Sequence, residues 1–165
     1  MRILGIDPGL QVCGYACLET SGAPERLIEA GVFRTAGDSA IETKLNQIAR
    51  DTGSLLKKFK PEIVAVEELY SHYEHPKTAI LMGHARGVIL QKCAETGIEI
   101  KSFSATRIKK SITGNGRASK EQVQRTVQMH LSLPCVPEPN DVADAIAVAL
   151  CGANSISREA LIKES

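Results

Sequence analysis

The run Arg2-Ile3-Leu4-Gly5-Ile6-Asp7-Pro8-Gly9 admits few structures. A short apolar stretch that breaks at Pro-Gly reads as a buried strand, and this one delivers a carboxylate to its own end. An ionised Asp there is costly without a positive partner, and the nearest basic side chain, Arg2, sits at the opposite end of the run. A metal ion is a natural partner; an Asp that merely starts the turn is the plainer alternative. The pattern then recurs. In Glu62-Ile63-Val64-Ala65-Val66-Glu67-Glu68 a second apolar run closes on acids, as a central strand covered on both faces would, and Glu67 is the inward member because it ends the run directly.

Two further acids sit where burial is expected. Asn140 precedes Asp141-Val142-Ala143-Asp144-Ala145-Ile146-Ala147-Val148-Ala149-Leu150, a helix apolar on almost every side and so buried, with Asn140 as its expected cap. Asp141 suits a first helical turn, where the helix dipole favours an acid. Asp144, three residues on and on the same face, has no such excuse. Two carboxylates forced together raise each other's pKa unless a divalent cation holds both ionised.

Between these elements the chain alternates. Val12 to Glu19 and Leu27 to Thr35 are apolar runs joined through Ser21-Gly22-Ala23-Pro24, which predicts an antiparallel meander of three strands. Residues from Asp38 to Phe59 carry apolar side chains at helical spacing, predicting an amphipathic helix softened near Gly53 and ended by Pro61. A second helix is expected from about Lys77 to Thr96, closed by Gly97, and a fifth strand from Ile98 to Phe103. Ala79, Gly83 and Gly87 give the second helix a narrow face of small residues, suited to packing on the sheet or on a helix of another chain. His72 and His75 precede it without further ligands at zinc-like spacing and read as exposed loop residues.

Charge is concentrated in one place. Residues 107–125 hold six basic side chains against Glu121 alone, a formal +5, so the rest of the chain carries −4 of the overall +1. Ser111, Thr113, Gly114, Asn115, Gly116 and Ser119 interleave with them, and such small residues let backbone N–H groups approach phosphates.

At 165 residues, 43% hydrophobic and 24% charged, the chain reads as one globular domain over 1–154, followed by a polar tail, 155–165, expected to fray. The five cysteines are odd in number and lack C-x-x-C spacing, which argues against a disulfide framework or zinc ribbon and for reduced thiols in a cytoplasmic protein. No stretch of about 20 apolar residues is evident, so no membrane span is expected.

The element order, with Leu4-Gly5-Ile6-Asp7-Pro8-Gly9, Ala65-Val66-Glu67, Gly83-His84-Ala85-Arg86-Gly87 and Asp141-Val142-Ala143-Asp144-Ala145, resembles the bacterial RuvC-type Holliday junction resolvases over about residues 1 to 152. The resemblance implies an α/β, ribonuclease-H-like fold: a mixed five-stranded sheet flanked by helices. It implies metal-dependent cleavage of four-way DNA junctions by a homodimer, working with a junction branch-migration helicase complex and leaving 5′-phosphate nicks. The family's four catalytic, metal-binding acids fall on Asp7, Glu67, Asp141 and Asp144, its base-engaging aromatic on Tyr70, where Phe is frequent, and its basic DNA contacts on Lys109 and Lys120. Arg107 and Arg117 join the DNA-binding set by charge and proximity. The expected cofactor is Mg²⁺, with Mn²⁺ as substitute, two ions roughly 3.5 to 4 Å apart per site.

Two other classes compete. An actin-like or sugar-kinase ATPase also opens on Gly-Ile-Asp before a glycine turn, but it needs a second lobe for which 165 residues leave no room. A non-catalytic junction-binding module would keep the basic segment and have no use for four buried acids.

Overall fold

The structure is a computed structural model that describes residues 1–21, 25–69 and 76–163. The three meander strands are β1 (Arg2–Asp7), β2 (Val12–Glu19) and β3 (Arg26–Arg34), followed by α1 (Ile41–Phe59) and β4 (Ile63–Glu67). Then come α2 (Pro76–Glu95), β5 (Glu99–Phe103), α3 (Ala105–Thr113), α4 (Lys120–His130) and α5 (Asn140–Lys163). The strands form one mixed sheet ordered β3-β2-β1-β4-β5, antiparallel from β1 through β3 and parallel from β1 through β5. This is the sheet expected of a ribonuclease-H-like fold.

Alternation along the central strands decides where the acids go. Leu4 and Ile6 of β1, with Val64 and Val66 of β4, pack under α1 and α2 among Ile48, Phe59 and Ile89. Ile3 and Ala65 point to the other face, into the cluster built on α5. Side chains two apart share a face, so Asp7 and Glu67 end their strands on the α5 side.

α5 lies between the sheet and a cover of α3 and α4, whose Ile108, Val123 and Val127 pack on its outer side. Its apolar composition follows from that sandwich: Ile146, Val148 and Leu150 are at most 1% exposed, and each such side chain stabilises by about 1.5–3 kcal/mol relative to exposure. The helix approaches the sheet closely because Gly5 and Gly14 carry no side chain; a Cβ on Gly5 would stand 2.4 Å from the Ala145 carbonyl oxygen, and one on Gly14 2.1 Å from that of Asp141.

Several sequence expectations need correction. The polar tail does not fray at Ser155: α5 continues to Lys163, Ser155 is buried, and Lys101 Nζ reaches Glu159 at 2.8 Å. A single long helix results, long and apolar enough by length and composition to cross a bilayer, contrary to expectation, although more than half of that stretch is buried inside the fold. Asn140 is the first helical residue, and its Oδ1 accepts from Gln124 Nε2 of α4 at 2.7 Å. α1 starts at Ile41, three residues later than predicted, and runs through Gly53 without a break. The expected cap of α2 is present: Gly97 has φ 69° and donates to the Ala94 carbonyl at 3.1 Å. All five cysteines are free.

Candidate active site

Asp7, Glu67, Asp141 and Asp144 meet in one cleft of 310 Å³ at the carboxyl ends of β1 and β4, where α5 begins. Lys109 of α3 and Lys120 of α4 form its basic wall, and Lys120 Nζ stands 3.7 Å from Asp144 Oδ2. Both helices owe their starts to local chemistry. Ser104 Oγ accepts from the Arg107 backbone N–H at the head of α3, and Ser119 and Gln122 form a reciprocal capping box at the head of α4, directly before Lys120.

Crowding the acids together changes their protonation. Burial, and then the charges of Glu67, Asp144 and Asp141, push the Asp7 carboxyl up to about 8 against the opposing pull of Lys120. Burial and then Asp144 push Glu67 up to about 7, and Asp144 itself is raised, chiefly by burial, despite its pairing with Lys120. The two lysines do not offset this much negative charge. Among the described residues, no three His, Cys, Asp or Glu side chains converge tightly enough to hold an ion as they stand. The fit of a cation therefore rests on donor chemistry: the acids offer oxygen ligands only, neither His nor Cys lines the cleft among the described residues, and a hard divalent cation matches that set.

The structure sorts the other predicted residues. Glu68 is exposed and its backbone N–H donates to the Phe103 carbonyl at 2.9 Å, leaving Glu67 as the inward acid. Arg107 does not enter the cleft: its guanidinium lies 4.8 Å over the Phe103 ring and Nη2 donates to Ser155 Oγ at 3.2 Å. Arg117 is exposed in the turn before α4 and lies outside the cleft lining. Tyr70, His72 and His75 lie outside the described residues. One positioning residue went unread. Arg86 of α2 donates through Nε to the Glu67 carbonyl at 3.0 Å and through Nη2 to Ser102 Oγ at 2.8 Å, clamping the end of β4 to β5. Its signal was the Gly83-His84-Ala85-Arg86-Gly87 motif, to which the sequence alone attached no task.

A mixed five-stranded sheet with an acidic cleft at the ends of its parallel strands, walled by lysines, defines a ribonuclease-H-like nuclease. The family model for crossover junction endodeoxyribonuclease RuvC matches residues 3–152, and the chain belongs to that family. The corresponding protein of Rhodopirellula baltica is 47% identical over 150 residues, covering 91% of this chain and 84% of that protein. That of Ruminiclostridium cellulolyticum is 37% identical over 162 residues, 98% and 97% of the two chains. Among solved structures, Thermus thermophilus RuvC in complex with Holliday junction substrate superposes with a TM-score of 0.88 at 32% identity, covering 94% of both chains.

Proposed function

We propose that this chain is a structure-selective endonuclease that resolves four-way DNA junctions by hydrolysing one phosphodiester in each of two opposed strands, during recombination and repair of DNA. The observation that carries the proposal is the meeting of Asp7, Glu67, Asp141 and Asp144 in a single cleft that also receives Lys109 and Lys120. A passive binding module has no reason to bear the cost of crowding buried acids.

In this reading the carboxylates of Asp7, Glu67, Asp141 and Asp144 would hold Mg²⁺, with Mn²⁺ as substitute. Bound there, the metal supplies an activated water and charge stabilisation at the leaving oxygen. Lys109 and Lys120 draw the strand in by its phosphate, and Lys120 offsets charge developing on the phosphoryl oxygens. Water oxygen joins phosphorus, the 3′ oxygen leaves with a proton, and the 5′-phosphate nick is left for ligation. Tyr70 supplies a stacking surface at the crossover. Two cuts related by a two-fold axis call for two chains on that axis, an isologous dimer. The small-residue face of α2 suits the contact, since a Cβ on Gly87 would meet nothing within 4 Å among the described residues. Family likeness extends the proposal to a branch-migration helicase complex as partner and to the cytoplasm as setting.

Lys109→Ala and Lys120→Ala are each expected to weaken binding to a four-way junction and lower the slope of log affinity against log salt by about 1, as loss of one phosphate contact does. Unchanged slopes in both variants, measured by fluorescence anisotropy, would place the DNA elsewhere. Arg86→Ala should act differently, because it frees the end of the strand that carries Glu67 and touches no phosphate. Single-turnover cleavage is expected to fall up to about 100-fold, as for a displaced catalytic group, with junction affinity within twofold of wild type. An undiminished rate would reduce the clamp to a fold contact.

A further inference from the structure

Only part of the basic segment faces the cleft. Residues adjacent along a helix point about 100° apart, so α3 turns Lys109 into the cleft and Lys110 away from it. Lys110 and Arg107 line a separate depression of 530 Å³ between α3 and the C-terminal half of α5, which Arg158 also lines. Its polar lining includes Ser111, Asn154 and the buried Ser155.

The charges there are unevenly matched. Arg107 is fixed, its guanidinium stacked on Phe103 and donating to Ser155. Lys110 and Arg158 are exposed and form no ion pair among the described residues. The acid in the wall, Glu159, accepts from Ser155 Oγ at 3.1 Å and is already matched by Lys101 Nζ at 2.8 Å. A pre-positioned guanidinium beside two uncommitted cations and neutral polar groups is an arrangement that backbone phosphates fit.

Position relates this groove to the cleft. Asp144 and Arg158 lie fourteen residues apart on the same helix, roughly 21 Å along its axis. At 3.4 Å per base pair that is about six base pairs of duplex. We propose that the Arg107, Lys110 and Arg158 groove is a second DNA subsite, which grips backbone phosphates of a junction arm about half a helical turn from the crossover. It rests on the junction-resolvase reading, and it assigns Arg107 a place on the DNA surface although that residue lies outside the cleft.

The test compares two double variants for binding to a four-way junction with arms of about twenty base pairs, over a salt series. Lys110→Ala with Arg158→Ala leaves the packed Arg107 alone and is expected to melt as wild type. Arg50→Ala with Lys57→Ala removes equal charge from α1, on the opposite face of the sheet. The groove variant should weaken binding about 10-fold near 0.1 M salt and lower the salt slope by about 2, as loss of two phosphate contacts does, while the α1 variant binds as wild type. Wild-type affinity and slope in the groove variant, the result an acidic protein partner would give, overturns the subsite alone. Equal losses in both double variants overturn it too, since general charge then explains the binding. A wild-type chain that binds the junction but never cuts it overturns the resolvase reading and leaves the subsite to be judged on the binding data.

Discussion

Asp7→Asn is expected to abolish junction cleavage, by a factor of about 1,000 or more, while raising the melting temperature of the metal-free protein at neutral pH. The first effect follows, on the proposed function, from removing one of the acids that would hold the metal, since losing several kcal/mol of transition-state stabilisation costs three or more powers of ten in rate. Lys109 and Lys120 are untouched, so junction binding should persist. The second effect follows from the sign of the Asp7 shift. Its carboxyl sits at about 8 in the fold against 3.8 as the ordinary value, chiefly through burial and then through Glu67, so the folded chain keeps a proton that the unfolded chain releases. Stability of the wild type therefore falls as pH rises from about 4 towards 8, and the neutral Asn escapes that loss. The melting gap between variant and wild type, followed in chelator, should be small near pH 4 and widen by pH 8, at about 2–4 °C per kcal/mol for a chain of this size. A gap that does not widen would contradict the crowding of the acids, and near-normal cleavage by the variant would remove Asp7 from the chemistry.

Gly14→Ala is expected to damage both the fold and the cleft. The new Cβ would meet the Asp141 carbonyl oxygen at 2.1 Å and the Ala145 Cβ at 3.2 Å, and neither is a flexible chain end that can step aside. The start of α5 must lift from the sheet. Overpacking of this kind costs about 1–3 kcal/mol or more, a fall in melting temperature of roughly 2–12 °C. Asp141 and Asp144 ride on the displaced turn, so cleavage should drop further than stability explains, with an additional loss of up to about 100-fold in the folded fraction. Gly37→Ala, at a position where a Cβ would meet nothing within 4 Å among the described residues, is the matched control and should change neither. A Gly14→Ala protein that melts and cuts as wild type would mean that α5 does not lie this close.

The four acids were legible because local pattern carried them. Asp7 and Glu67 each close an apolar run, and Asp141 and Asp144 share a helical face three residues apart. What depends on how distant segments meet was not legible. The need for Gly14 appears only when the register of β1 on β2 sets Gly14 opposite Asp7 and beneath Asp141. The Arg86 clamp requires knowing that α2 passes the end of β4. Arg107 joined Lys109 only by charge and proximity, and helical rotation sends the two to different surfaces. The length of α5 was misread because Ser155, Ser157 and Arg158 look like a polar tail; burial of Ser155 and the Lys101 to Glu159 pair continue the helix instead.

Incubation of the wild-type chain with an end-labelled four-way junction and with a linear duplex of the same sequence, in Mg²⁺ or in chelator, tests the assignment most directly. The predicted result is a pair of nicks at symmetry-related positions in two opposed strands of the junction, sealed by ligase, with no cutting of the linear duplex and none in chelator. Comparable cutting of the linear duplex, or cleavage that survives chelation, would contradict it.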